Sequence, residues 1–244
     1  MSSLIIFIPA RSGSTRVKNK NLQKIGKLSL LERKIKICKS LKIGKVVVST
    51  NSKKIAKLSI KNGAEIPFLR PKKYSTSKAS TVSAILHYLR FLKKKNMKIP
   101  TYLAILPLTN PFLEKKTIIS AYKKIVKNKK INSIIGFTEA DNHPFTFIKV
   151  KKKIYFNIFR HEGSIYSDHE RTQDWPKAYI GSASLKITKT SYFLKYLKEY
   201  SPLFGIKTFD LKKTMGIKIT KKESFDINNR RDLLYANQFL NKKN

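Results

Sequence analysis

The sequence predicts an α/β protein with a mostly parallel sheet, helices on both faces and a small inserted β arm. Three observations carry this. Apolar runs of strand length alternate with amphipathic runs of helical period through the first half of the chain. The strand-length runs are continuous in apolar residues, which marks strands buried on both faces. Past residue 141 the rhythm changes to an apolar–basic alternation about "KKK", the pattern of a hairpin projecting from the core.

The elements follow in order. "SLIIFIPA" (3–10) reads as a buried strand. In "SLLERKIKICKSL", Ser29 and Glu32 have capping-box spacing, and Leu31, Ile35, Cys38 and Leu41 share one helical face. "KVVVST" (45–50) is the next strand, "SKKIAKLSIKNG" a short helix closed by Gly63, and "AEIPFLR" an extended return. "STVSAILHYLRFLKKK" is amphipathic, with Val82, Ile85, Leu86, Leu89 and Leu92 on its buried side. "TYLAILPLT" (101–109) is a strand, followed by a helix near 114–126 and the strand "INSIIGFT". The alternation implies right-handed crossovers. "FTFIKVKKKIYFNIF" is the hairpin, and "HEGSIYSDHERTQDWPKAY" a loop over a site or interface. "SASLKITKTSYFLKYLKEY" reads as strand then helix, and "KESFDINNRRDLLYANQFL" as a strand end followed by the last helix. No internal repeat or low-complexity linker interrupts residues 1–244, so the reading is one domain with an inserted arm.

Composition narrows the function classes. No apolar run approaches the roughly 20 residues that span a bilayer, and "MSSLIIFIPAR" has no basic n-region, so the chain reads as a cytoplasmic protein beginning on its first strand. The single cysteine, Cys38, excludes an intrachain disulfide and a cysteine zinc site, and it belongs to the core face of its helix. The chain holds 53 Lys and Arg against 14 Asp and Glu. Clustered cations would indicate nucleic acid through counterion release. These lysines are instead spread over almost every helix face and turn, with no RNA-binding aromatic motif, zinc finger or basic tail. A composition rich in Lys, Asn and Ile together is therefore preferred over a nucleic-acid partner. An anionic small substrate fits either reading, because a positive field concentrates it.

In sheets of this kind, ligands bind outside the carboxyl ends of the strands. That rule selects the loop 11–21, "STNS" at 49–52, "PLTNPF" at 107–112, the stretch 139–144 and "FDINN" at 225–229. The first loop places Arg11, Arg16, Lys18 and Lys20 within ten positions. Gly13 permits a tight turn, Ser12 and Ser14 add donors, and consecutive backbone N–H groups can form an anion nest. Arg11 suits bidentate phosphate binding and Lys20 a point charge near a leaving pyrophosphate. No Walker spacing occurs. The alternative is an ordinary solvated lysine turn. Asp226 is one of few carboxylates and stands before a predicted helix, so it reads either as a site carboxylate or as the N-cap of that helix. His143 before a proline reads as a turn residue, and Trp175 as a packing residue.

"IPARSGSTRVKNKN" resembles the opening motif of the acylneuraminate cytidylyltransferases, the CMP-sialic acid synthetase family. The resemblance continues in order through "VVVSTNSKKIA", "GAEIPFLRP", "SASTV", "LPLTNPF", "NHPF", "RTQDWPKAY", "LFGIK" and "SFDINNRRDL", across almost the full length. It implies a Rossmann-like nucleotide-diphospho-sugar transferase fold, CTP as co-substrate and Mg2+ as cofactor. It also implies an acidic nine-carbon 2-keto sugar whose anomeric hydroxyl attacks the α-phosphate, and a homodimer through an arm at about 145–180. Arg11 and Lys20 match the triphosphate-binding cations, with Ser12, Gly13, Ser14, Arg16 and Asn21 in the nucleotide loop. Arg70 matches the F-L-R-P arginine. Thr109, Arg171, Gln173 and Tyr179 fall on the sugar side, and Asp226 with Asn228 on the metal motif.

The departures cluster at chemical positions. Thr15 and Arg16 stand where lysine and glycine are usual, Asn51 replaces the aspartate of S-T-D, and Ser77 an aspartate. Pro107 occupies a glutamine position, "IGSAS" replaces the Asn-Gly that follows the sugar-side tyrosine, and Asn228 replaces the second carboxylate of I-D-I-D. A working enzyme with an unusual acceptor and a catalytically weakened relative are the two readings these changes leave, the enzyme being preferred.

Overall fold

A computed structural model of the chain describes residues 3–13, 16–151, 154–157, 171–197 and 207–241. Its centre is a six-stranded sheet. Strand β1 (Leu4–Pro9) enters as the apolar run anticipated and ends at Pro9, which has no N–H to extend the ladder. The tight hairpin β2 (Lys24–Ile25) and β3 (Leu28–Ser29) leads into α1 (Leu30–Ser40). The capping box is formed: Ser29 accepts from Glu32 N, and the Glu32 carboxylate accepts from Ser29 N at 2.9 Å. β4 (Lys45–Ser49), α2 (Lys53–Lys61), α3 (Thr81–Lys94), β5 (Tyr102–Ile105), α4 (Lys115–Lys127) and β6 (Ser133–Glu139) follow in the expected rhythm. Gly63 closes α2 at φ +83°, and the extended return bridges from Glu65 to Val47 of β4 and from Leu69 to Thr50 just past it.

The hairpin about "KKK" forms as β7 (Ile148–Lys151) against β8 (Ile154–Asn157), antiparallel. Then come β9 (Tyr179–Lys189), α5 (Thr190–Leu194), β10 (Thr214–Lys218), α6 (Lys221–Ser224) and α7 (Arg230–Asn241). The C-terminal region differs from the sequence reading. "KES" is a helical turn and not a strand end, because Thr220 and Glu223 make a second capping box; the strand lies upstream at "TMGIK".

The sheet order is β10-β6-β9-β5-β1-β4. β4, β1 and β5 pair in parallel, as do β10 and β6, and only β9 runs antiparallel, between β5 and β6. One face packs Leu4, Ile6, Ile8, Ala104 and Ile187 against α1, α4 and α7, with Cys38 inside that core as anticipated. The other packs Ile5, Phe7, Val47, Leu103 and Ile105 against α3 and Phe193. Because β1, β4, β5, β6 and β10 share one direction, their carboxyl ends open on one edge, where the site loops gather. Among the described residues no helix is long and apolar enough to cross a membrane.

Gly44, in the turn into β4, lies hard against β1: a Cβ there would stand 2.3 Å from the Leu4 carbonyl oxygen. Gly44→Ala is expected to destabilise the fold by about 1–3 kcal/mol, as forced overpacking does, measured by urea denaturation.

Candidate active site at the carboxyl edge of the sheet

The loop after β1 turns at Gly13, whose φ of +81° requires glycine; no atom crowds the position, so the constraint is the backbone itself. Val17 is buried and anchors the loop, after which Asn19 at φ 53° starts a 3-10 turn, Lys20–Leu22. Asn21 Nδ2 donates to Arg11 O at 2.8 Å and ties the two ends of the loop together. Ser12 N donates to Asn51 Oδ1 at 2.8 Å, so this N–H is committed to the β4 loop and not to a free anion nest. Asn51 makes the bond an aspartate there would make. Ser14 and Thr15 lie outside the described residues.

Lys20 reaches across the site. Its Nζ donates to Ile227 O at 2.9 Å, 207 residues away in sequence. Burial lowers its pKa, Asp226 opposes that shift, and Arg16 and Arg11 add to it. Arg11, Arg16, Lys20 and Asp226 therefore form one electrostatic cluster. Arg70 is only 5% exposed, and its Nε donates to Ser49 Oγ at 2.9 Å while Nη2 bonds Ser49 O. Burial first, and Arg11 second, lower its pKa to about 10. Arg70 thus fastens the end of β4 and adds its charge beside Arg11.

Asp226 stands between two fixed neighbours. Ile227 is wholly buried and its N–H donates to Thr109 O at 2.8 Å, while Phe225 packs on Phe112. Asp226 does not cap α7; Asn229 and Asp232 exchange reciprocal bonds of 3.0 and 2.9 Å at that terminus. Oδ2 of Asp226 accepts from Asn228 Nδ2 at 3.1 Å, and Oδ1 is buried with no hydrogen-bond partner. A buried carboxylate oxygen without a donor suits a cation. Among the described residues no cluster of three His, Cys, Asp or Glu side chains surrounds it. A metal that takes one carboxylate and completes its shell from phosphate and water fits this arrangement; one needing a full protein cage does not. Asn228 donates its Nδ2 to Asp226 and so braces the carboxylate.

The expected sugar-side residues divide. Thr109 lies in the cluster through its carbonyl. Arg171 pairs with Asp174 at 3.7 Å and lies against the Gln173 amide, contacts that are local. Tyr179 is exposed and packs edge-on against Phe137 at 5.3 Å. His143 accepts from Phe145 N at 3.2 Å and rests against Trp175, so both behave as turn and packing residues.

One cation escaped sequence reasoning. Lys186 of β9 is in register with Ile105, the last residue of β5, and its Nζ lies 5.9 Å from the Phe209 ring. Burial, then Lys207, lowers its pKa, and Asp226 raises it. The available signal was a lysine inside the strand "SASLKIT", easily lost among so many lysines.

A cytidylyltransferase family profile matches residues 5–238, and the chain belongs to that family. It is 27% identical to the post-translational flagellin modification protein B of Campylobacter coli over 100% of this chain and 97% of that protein. It is 29% identical to the pseudaminic acid cytidylyltransferase of Campylobacter jejuni over 72% and 73% of the two chains. The fold matches a CMP-2-keto-3-deoxy-manno-octonic acid synthetase solved with CTP, with a TM-score of 0.69 at 12% identity, covering 100% of both chains.

His87 of α3 stands behind Arg70, edge-on to Phe68 at 4.3 Å and 4.7 Å from the Tyr74 ring. Burial, then Arg70, Arg90 and Lys73, push its pKa down to about 4. The unfolded chain takes up this proton near pH 6.5 and the folded chain only near 4, so stability falls as pH drops through that window. His87→Gln is expected to flatten the stability slope between about pH 6.5 and 5, above the range where carboxylates titrate, measured by urea titrations at several pH values.

Proposed function

We propose that this chain transfers CMP from CTP to the anomeric hydroxyl of a nonulosonic acid, an acidic nine-carbon 2-keto sugar, for surface-glycan biosynthesis. The observation that carries the reading is the reach of Lys20 to the Asp226 loop, which joins the phosphate-loop cations to a carboxylate at the carboxyl edge. The named activities of the curated relatives support the sugar class.

In this reaction the acceptor hydroxyl gives its proton to solvent water as its oxygen bonds to the α-phosphorus, the bond from that phosphorus to the bridging oxygen breaks, and pyrophosphate leaves. Arg11 and Arg16 hold the triphosphate, and Lys20 offsets charge as the pyrophosphate separates; its partial desolvation strengthens that attraction. Asn21 keeps the loop in shape, and Arg70 holds the β4 end under it. Arg171, Gln173 and Tyr179 are assigned to the acceptor side. Mg2+ is proposed on Asp226, where it would neutralise phosphate charge. Asn228 secures the orientation of that carboxylate. The proposal extends to a homodimer through the arm near 145–180 and, because CTP is consumed, to a cytoplasmic location.

Pyrophosphate release from CTP and Mg2+ is expected with at least one acceptor among sialic, pseudaminic and legionaminic acids. Lys20→Met and Asp226→Asn should each lower kcat/KM by about 100-fold or more, the scale of losing a charge-stabilising group. CTP binding with no turnover on any acceptor would instead identify a binding-only relative.

Asn228→Asp sets a second carboxylate beside Asp226. It should lower the stability of the metal-free protein and the Mg2+ concentration for half-maximal activity together. Thermal melts with and without Mg2+ check this, and an unchanged Mg2+ requirement would remove residue 228 from the metal site.

A further inference from the structure

Lys34 of α1 is 2% exposed and ranks among the largest fully buried side chains, between apolar neighbours of the main core. Its Nζ donates to the backbone oxygen of Asn110 at 2.7 Å. Burial lowers its pKa to about 8, and Cys38 opposes that shift. Putting an ammonium in a core is costly, and leucine or methionine would fill the space without that cost. The amine therefore has to be explained by the carbonyl it holds.

That carbonyl roots the candidate site. Asn110 is itself wholly buried, and its Nδ2 donates to Phe225 O at 3.0 Å and Ser224 O at 3.5 Å. Its neighbour Thr109 accepts from Ile227 N at 2.8 Å, and Ile227 O receives Lys20 at 2.9 Å. The loop after β5 thus grips the main chain on both sides of Asp226, and Lys34 grips that loop from α1. We propose that Lys34 is a positioning residue of the Asp226 site, setting the 109–110 loop and through it the main chain that carries the carboxylate. The proposal rests on the cytidylyl-transfer reading, which gives Asp226 its role.

Lys34→Met keeps the length of the side chain and removes the donor. Amide exchange at Ile227 is expected to quicken about tenfold while Ile6 and Val47, in the central strands, exchange as in the wild type, the signature of a local opening. The Mg2+ concentration for half-maximal pyrophosphate release should rise about fivefold with the CTP KM changed less than about twofold, since Arg11 and Arg16, assigned to hold the triphosphate, lie on a separate loop. Asn110→Ala should produce the same pair of changes, and the double variant should add less than about twofold to either, because both cuts fall on one link. A purely structural lysine would change all amides together or none. Unaltered Ile227 exchange, or effects that multiply in the double variant, would overturn the proposal. If Lys34→Met does not fold, Lys34→Leu takes its place with the same expectations. A wild-type protein that turns over no acceptor would bring down the reaction, leaving the exchange measurements to decide the role of Lys34.

Discussion

The main chain of Ile227 is the joint on which the candidate site depends. Its side chain is wholly buried, so its backbone takes its position from the core and not from the solvent-facing loop around it. Its N–H is held by Thr109 and its carbonyl by Lys20. Buried peptide groups require partners, so neither bond is dispensable. Three distant stretches of chain are thereby fixed relative to one another. Asp226, the adjacent residue, inherits that geometry without needing a rigid loop of its own.

The same joint explains why a chain so rich in lysine can hold a defined charge arrangement. Most of its cations are solvated, and water screens them from one another. Lys20, Lys34 and Lys186 differ, since burial lowers the pKa of each. Their charges act through a poorer dielectric, where a single partner weighs more. Asp226 acts electrostatically on both Lys20 and Lys186, opposing the effect of burial on each. Arg70, buried against Ser49, interacts electrostatically with Arg11 while it anchors β4.

Much of the fold was legible from short-range pattern. The Ser29–Glu32 capping box, the apolar face of α3 and the hairpin about "KKK" all formed where the sequence put them. The turn at "KES" was misread, although the Thr220–Glu223 spacing signalled it, because an apolar neighbour made the segment resemble a strand end. The direction of β9 was not legible, since an apolar run does not encode whether its neighbours lie parallel or antiparallel. At the candidate site, the loop cations were legible from residue type at the end of β1, whereas Asp226 follows the α6 turn and stood out only as a carboxylate in a chain with few of them. The choice between carboxylate and helix cap was not, until Asn229 and Asp232 were seen to close α7.

By itself the sequence determined most of the elements and the family likeness borne by the ordered motifs, and it pointed to one edge for a ligand. These depend on backbone preference and burial over a few residues, which composition and spacing record. Tertiary structure alone decided that Lys20 meets Ile227, that Asn228 braces its neighbouring carboxylate, and that Lys34 points into the core at Asn110. The reason is physical. A lysine carries the same local signal whether it is solvated or buried, and only the folded chain determines which carbonyl lies within its reach.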